Sequence, residues 1–181
     1  AEAIQVWRIL RELDKHARGR LVKITPQSTS SWEQQDETLN LELKNFETQE
    51  LALPFHRILN DVISSHRLAR FHIPDSAMWI HWKAGAVLRG LKRKPDLIYS
   101  RSSPMSGALL AAKLKKALGI PWVMHISDPW ADSLYKPYHP RDAAYEAKCF
   151  HAADLTALTT VGQAEFYQDK YPECAERIFV S

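Results

Sequence analysis

The chain has 181 residues, 45% hydrophobic and 25% charged, which is the composition of a globular domain and not of a disordered or fibrous chain. Its two cysteines, Cys149 and Cys174, cannot build a disulfide framework, so we expect a reducing, cytoplasmic location. No apolar run is long enough to span a bilayer, no secretory signal pattern is present, and the eight histidines lack metal-ligand spacing, so we expect no metal.

The net charge of +3 comes from one segment of the chain. Residues 55–95 carry eight Lys/Arg against two Asp/Glu, together with Trp79 and Trp82. This segment is either a solvated helical surface or a basic, aromatic face that meets an anionic membrane or an anionic ligand. Nucleic acid is not expected, because no motif that reads nucleic acid is present. The residues that we assign to an anionic ligand or a membrane are Arg89, Lys92, Arg93, Lys94 and, further along, Arg101.

The first predicted elements are a helix over residues 1–17 and a strand over Leu21–Thr25. In a doubly wound fold, a strand and a phosphate-type turn normally precede such a helix. We therefore expect that the first strand is missing, or that the fold opens with a helix. The patterns that follow predict a polar loop at 27–35, a short helical turn at 38–41, a strand at 50–53 and amphipathic helices at 55–70 and 74–91.

The clearest pattern predicts a βαβ unit. Leu97–Ser100 and Trp122–Ile126 are short apolar strands, and Met105–Leu118 between them has apolar residues at helical spacing. Gly119 follows the helix at the position of a left-handed C-cap. In parallel sheets, ligands bind in the crevice beyond the carboxyl ends of the strands, so we expect the functional site there.

Beyond this unit the pattern continues as an α/β fold. We predict helices at 142–153 and 161–171, and strands at 155–159 and 178–180. Together these elements predict one Rossmann-like, three-layer α/β/α domain with a mostly parallel sheet over residues 1–181. The sequence stops within a predicted strand, so we expect the natural chain to continue.

Polar or aromatic residues follow three successive predicted strands. They are Ser102 and Ser103 after the first strand, His125, Ser127, Asp128 and Trp130 at the second, and Thr160 after the third. The turn after the first strand leads into a helix N-terminus, which favours a negatively charged ligand.

Each of these residues also has a structural explanation. The serines are explained equally well as helix N-caps, Asp128 as the cap of the next turn and Trp130 as a core residue. A lone strand histidine such as His125 is more often a hydrogen-bonded core group than a catalyst. Glu146, on the following helix, is expected to face solvent rather than the crevice.

A family resemblance favours the functional interpretation. The segment KPDLIYSRSSPMSGALLAAKLKKALGIPWVMHISDPWADSLY, the strand ADLTALTT and the Tyr171-Pro172 helix end resemble the N-terminal half of retaining glycosyltransferases of the group-1/family-4 type, which have the GT-B fold. The resemblance implies two Rossmann-like domains that face a cleft, with the acceptor bound mainly by the N-terminal domain and the nucleotide sugar by the C-terminal domain. It also implies that no metal or cofactor is needed, and that the enzyme works at the cytoplasmic face of a membrane.

Carried over by position, the resemblance places Ser102, Ser103, Ser127 and Asp128 on the acceptor side of the cleft, with Thr160 nearby. We add Trp130 to these acceptor-binding candidates. Many relatives have His-Asp where this chain has Ser127-Asp128, and here the histidine, His125, lies two residues earlier. Asp128 and His125 are therefore the candidate catalytic residues, and neither is assigned.

The predicted function is that of the acceptor-side domain of a glycosyltransferase, which moves a sugar from a nucleotide-sugar donor to an acceptor hydroxyl in cell-surface polysaccharide or glycolipid synthesis. The chain lacks the donor domain and is expected to be inactive alone, since half a cleft cannot hold both substrates in reacting geometry. Its expected partners are a sugar or lipid-linked acceptor and an anionic membrane surface. The alternatives are a non-catalytic module that docks on membranes or acts as a scaffold, and a nucleotide-sugar epimerase of the same fold.

Overall fold

The computed structural model describes residues 2–26, 44–53, 73–75, 77–102, 105–134 and 137–181. The chain forms two compact units, residues 1–58 and 59–181, and each is described by itself. The predicted polar loop at 27–35, the helical turn at 38–41, the amphipathic helix at 55–70 and Ser103 lie outside the described residues.

The described part of the first unit contains one helix and two parallel strands. These are α1 (Glu2–His16), β1 (Gly19–Pro26) and β2 (Phe46–Leu53), with Gly19 opposite Phe46 in the register. Asp14 of α1 fixes the start of β2, since its carboxylate accepts hydrogen bonds from the backbone N–H groups of Lys44 and Asn45 at 3.0 and 2.8 Å. The predicted helix and first strand are confirmed, and β2 begins four residues earlier than the 50–53 predicted.

The second unit alternates helices and strands. Its elements are a 3-10 helix (Met78–Lys83), α2 (Ala84–Gly90), β3 (Ile98–Arg101), α3 (Ser106–Leu118), β4 (Trp122–Ile126), α4 (Pro140–Ala152), β5 (Leu155–Leu158), α5 (Val161–Lys170), a second 3-10 helix (Pro172–Arg177) and β6 (Ile178–Val180). Every strand predicted after residue 94 is confirmed within one residue at each end. The helix predicted from Pro74 starts instead at Met78, with a 3-10 turn.

The strands of this unit form one parallel sheet in the order β3-β4-β5-β6. Parallel strands need crossover connections, and α3, α4 and α5 provide them. All four carboxyl ends therefore lie at the same edge of the sheet. This is the mixed α/β architecture, with parallel sheets and helices, that the sequence predicts.

The core of the second unit lies between the sheet and its helices. Trp122, Met124 and Ile126, which share one face of β4, are at most 1% exposed, and His125 on the opposite face is 4% exposed, as expected for a strand covered on both faces. Phe150 of α4 stacks on Tyr167 of α5, with ring centroids 4.5 Å apart. Fully burying side chains of this size contributes roughly 1.5–3 kcal/mol each, so this cluster is a main source of the unit's stability.

The helix ends follow local chemistry. Gly119 ends α3 with φ 62°, the left-handed conformation that favours glycine, as predicted. The side chain of Thr160 caps α5 by accepting the N–H of Gln163. The helix predicted over 142–153 begins two residues earlier: α4 starts at Pro140 with His139 as its N-cap, and Asp142 is buried, where it accepts the indole N–H of Trp130 at 3.1 Å.

No helix among the described parts of the chain is both long enough and apolar enough to cross a bilayer.

Candidate functional site

Hydrogen bonds join the polar side chains at the carboxyl edge of the four-stranded sheet. We call this group the strand-end cluster: Tyr99, Arg101, Ser102, His125, Ser127, Thr159, Gln163 and Ser181. Its members come from or directly follow β3, β4, β5 and β6, apart from Gln163, which lies in the first turn of α5. The topology brings these residues together because parallel strands present all their carboxyl ends at one edge.

Ser127 is at the centre of the strand-end cluster. Its N–H donates to Ser102 Oγ at 3.0 Å, and its hydroxyl accepts an N–H from Arg101 Nη2 at 2.7 Å. Its carbonyl accepts the side-chain amide of Gln163 at 2.8 Å, while Thr159 donates its hydroxyl to the other end of that amide. The residue that precedes Asp128 is therefore fixed through three neighbouring elements.

His125 lies behind Ser127 as a buried, neutral imidazole. It is 4% exposed, its Nδ1 is 2.8 Å from the Tyr99 hydroxyl, and its Nε2 is 3.2 Å from Ser181 Oγ. Burial, and secondly the charge of Arg101, lowers the pKa of His125 to about 4. At neutral pH the ring can therefore accept an N–H from Arg101 Nη1, which lies 3.0 Å from Nε2.

The structure separates the predicted acceptor residues into exposed and buried groups. Asp128 and Thr160 are exposed and Ser127 is partly exposed, so all three are accessible at the edge. Ser102 is 4% exposed, and its oxygen already bonds to Ser127. Trp130 does not line the edge as predicted, because its ring is fully buried in the core.

The prediction that Glu146 faces solvent is wrong. It is 0% exposed, not solvated, and each carboxylate oxygen has two partners. Oε2 accepts the N–H of Ala131 at 2.8 Å and the hydroxyl of Tyr167 at 3.1 Å. Oε1 accepts from Lys170 Nζ at 2.5 Å and from the hydroxyl of Tyr171 at 2.7 Å.

The Glu146 network anchors the loop that follows Asp128. Tyr167 also accepts the backbone N–H of Trp130, and Lys170 also pairs with Asp132. Burial and the nearby carboxylate raise the pKa of Tyr167, and that of Tyr171 is raised in the same way, so both hydroxyls stay protonated as donors. Burial acts to lower the pKa of Lys170, but its bonds to the two carboxylates outweigh burial and raise it.

The N-terminus of α3 is not open to an anionic ligand, contrary to expectation. The carboxylate of Asp75 occupies it and accepts the backbone N–H of Ser106 at 2.8 Å and its hydroxyl at 2.7 Å. Asp75 also accepts the N–H of Ala77 at 2.9 Å. This explains why Asp75 does not open a helix of its own: it caps a helix 31 residues further along the chain.

The basic residues assigned to a membrane or anion are accessible, except that Arg101 is half-buried. Arg89 on α2 and the turn residues Lys92, Arg93 and Lys94 are exposed. Trp82 on the 3-10 helix is 55% exposed. Exposed basic residues and an exposed tryptophan are therefore present in the described part of residues 55–95.

Among the described residues, His151, Glu173 and Cys174 form the one grouping with the geometry of a metal site, with ligand atoms within 4.8 Å of one another. However, Arg177 Nη2 donates to Cys174 Sγ at 3.1 Å, which places a cation at the sulfur. The grouping precedes β5 and β6, at the end of the sheet opposite the strand-end cluster. We assign it no metal.

Sequence reasoning missed several residues of these networks. Gln163 lies four residues after Thr159, a spacing that brings side chains together on one face as a helix begins, and Ser181 directly follows a predicted strand. Glu146 shares a helical face with Cys149, Phe150 and Ala153, which indicates burial. Nothing local predicts that Tyr99 reaches His125.

Comparison with known proteins agrees with this geometry. No curated protein matches the chain. The family described as glycosyl transferase 4-like domain matches residues 4–180, which is nearly the whole chain. The parallel sheet, its crossover helices and the polar carboxyl edge are the arrangement expected of such a domain. The chain belongs to the glycosyl transferase 4-like domain family.

Proposed function

We propose that this chain is the acceptor-side domain of a glycosyltransferase that moves a sugar from a nucleotide-sugar donor to an acceptor hydroxyl. The observation that supports this most is the exposed carboxylate of Asp128, directly after the central strand β4, on a backbone fixed by the strand-end cluster. A carboxylate carried on such a fixed backbone can accept hydrogen bonds from sugar hydroxyls and orient one of them for transfer.

In this proposal some residues contact the acceptor and others position those residues. Asp128, Ser127 and Thr160 contact the acceptor, and Ser103 stays an acceptor candidate on sequence alone. Ser102 and His125 are positioning residues, because both are buried: Ser102 Oγ accepts the N–H of Ser127, and His125 contacts Arg101, which donates to the Ser127 hydroxyl. The donor is bound mainly by the facing domain of the full-length enzyme, and neither a metal nor a cofactor takes part.

The test is the full-length enzyme with Asp128→Ala and Asp128→Asn, assayed with a panel of nucleotide sugars and acceptors. Loss of a charged hydrogen bond to substrate should lower kcat/KM for the acceptor by about 10- to 100-fold. Asp96→Ala removes an exposed carboxylate before β3 and is the control. Unchanged turnover at every acceptor concentration would remove Asp128 from the site. An epimerase would be recognised by an epimerised sugar nucleotide formed without acceptor.

A membrane-docking role is the second candidate, and it is favoured by the exposure of Trp82 and of four basic residues that follow it in the sequence, Arg89, Lys92, Arg93 and Lys94. It suits a lipid-linked acceptor at the inner face of a membrane. Basic residues near an anionic bilayer contribute roughly 1 kcal/mol each, and salt screens this attraction.

Vesicle sedimentation tests this role. The chain should bind vesicles of anionic phospholipid at low salt and lose binding in about 0.5 M salt, where the screening length falls to a few ångströms. Combined Lys92→Gln, Arg93→Gln and Lys94→Gln substitutions should weaken binding, whereas Lys116→Gln, an exposed charge on α3, should weaken it less. Equal binding to neutral vesicles would contradict an electrostatic membrane face.

A further inference from the structure

One half-buried charge at the edge of the sheet has no counter-ion among the residues that the structure describes. Arg101 ends β3, and the groups that its guanidinium contacts are both neutral, the His125 ring and the Ser127 hydroxyl. Within the described parts of the chain, no carboxylate lies within ion-pair distance of Arg101. Partial burial of an unpaired charge costs free energy, so the fold gains little from this arrangement on its own.

Several N–H groups of Arg101 also lack acceptors in the described part of the chain. There, Nη1 donates to the imidazole and Nη2 to Ser127 Oγ, which leaves one N–H on each terminal nitrogen. The Nε atom is buried and has no hydrogen-bond partner among the described residues. Buried donors without acceptors are rare in folded proteins, so the described residues leave this guanidinium incompletely satisfied.

The position of the guanidinium is fixed. Ser127 holds one side of it, and Ser127 is itself held by Ser102 and Gln163. His125 holds the other side as a neutral acceptor, because burial and Arg101 together lower its pKa to about 4. A planar guanidinium in a fixed orientation binds a carboxylate or phosphate through parallel N–H···O bonds.

The neighbouring acidic residues do not supply the missing charge. Asp75 is engaged at the N-terminus of α3. Asp128 directly follows Ser127, but it is exposed and forms no ion pair with Arg101. The edge therefore offers a carboxylate that suits hydroxyls and, on the side of Ser127, a guanidinium that suits an oxyanion.

We propose that Arg101 forms an anion subsite, and that the acceptor bound at this edge carries a carboxylate or phosphate group as well as the reacting hydroxyl. The inference rests on the proposed function only where it calls the ligand an acceptor. The anion subsite itself follows from the unpaired guanidinium.

The test is a ligand titration of the 181-residue chain followed by 1H–15N NMR. The probes are D-glucuronate, D-glucose 6-phosphate, inorganic phosphate and, as the neutral control, D-glucose. The backbone amides of Ser102, Ser127 and Ser181 report binding at the cluster. At least one of the two anionic sugars should bind about tenfold or more tightly than glucose. Tighter binding of glucuronate would indicate a carboxylate site, and tighter binding of glucose 6-phosphate a phosphate site.

Variants assign the effect to Arg101. Arg101→Gln should remove the preference for anionic sugars, and Arg141→Gln, an exposed arginine on α4, should leave it unchanged. Arg101→Lys keeps the charge but not the planar fork, so it should reduce the preference by about threefold or more. This variant decides the question if the Arg101→Gln spectrum shows an unfolded chain.

The outcomes separate the subsite from the proposed function. Equal binding of glucose and the anionic sugars, or a preference that survives Arg101→Gln or is undiminished in Arg101→Lys, overturns the anion subsite and leaves the Asp128 assay to decide the acceptor site. Arg101-dependent binding of inorganic phosphate without binding of any sugar supports the subsite and counts against the acceptor assignment.

Discussion

In the strand-end cluster, the surroundings of His125 change its acid–base chemistry. Histidine is normally half-protonated near pH 6.5, but His125 is buried next to Arg101 and stays neutral. A protonated ring would leave two cations in contact and remove the acceptor for Arg101. His125 is therefore a poor general acid in this structure, and its bonds to Tyr99 and Ser181 fit a positioning role.

Glu146 allows a stability prediction at the scale of one residue. Glu146→Gln removes a buried charge and leaves Lys170 with one carboxylate, so the free energy of unfolding should fall by about 2–4 kcal/mol. Urea denaturation followed by tryptophan fluorescence measures this change.

The matched control for Glu146 is Asp132, the exposed carboxylate that pairs with the same Lys170. Asp132→Asn should cost about 0–1 kcal/mol, because exposed ion pairs contribute little. Equal losses in the two variants would contradict the view that burial makes Glu146 the stronger anchor of the loop.

At the scale of the element, the sequence predicts what local pattern determines. The apolar runs Trp122–Ile126 and Ile178–Val180 and the helical spacing before Gly119 identify the strands and α3, since burial and backbone conformation act over a few residues. The carboxyl edge follows in turn, because parallel topology alone places Ser127 and Thr160 at the same end of the sheet.

What the sequence does not predict are side-chain contacts across long separations. Asp75 looks like the start of its own helix, and only the folded structure shows that it caps α3, 31 residues away. For Trp130 the sequence leaves an acceptor-site and a core interpretation open, and only the fold shows that its indole lies in the core, where it donates to Asp142. These contacts depend on three-dimensional packing, which residue spacing does not encode.

The end of α3 gives a prediction for a single glycine. Gly119 has φ 62°, where a side chain is strained, so Gly119→Ala should lower the free energy of unfolding by about 1 kcal/mol although no atom lies within 4 Å of the new Cβ. Gly162 in α5 also has open space, without a positive φ. Gly162→Ala should be neutral or stabilise by up to about 0.5 kcal/mol, and urea midpoints of the two variants measure the difference. Equal shifts would mean that φ does not decide the effect.

At the scale of the whole molecule, two buried histidines couple stability to pH. Burial, and secondly Lys113, lowers the pKa of His81 to about 4, and His125 has a similar pKa. The unfolded chain binds these protons near pH 6.5, whereas the folded chain binds them only near pH 4. Their contribution to stability is therefore complete above about pH 6.5 and is lost as the pH falls toward 4.

Urea unfolding at pH 7.5, 6.5, 5.8 and 5.0 measures this dependence. The free energy of unfolding should decrease slightly between the two highest pH values and more steeply below them. In His125→Gln the free energy of unfolding should decrease less steeply as the pH falls. Unfolding of this variant takes up about one proton fewer per molecule, because one of the two histidines is gone. The same slope in both proteins would show that His125 is not neutral in the fold.

The order of the strands also bears on how the second unit is made. Because the order β3-β4-β5-β6 follows the sequence, each strand pairs with the one synthesised just before it. Asp75 is likewise made before the helix that it caps. Local structure forms in microseconds, whereas ribosomes add roughly 5–20 residues per second. The sheet of this unit can thus grow strand by strand during translation, with no earlier pair reopened to admit a later strand.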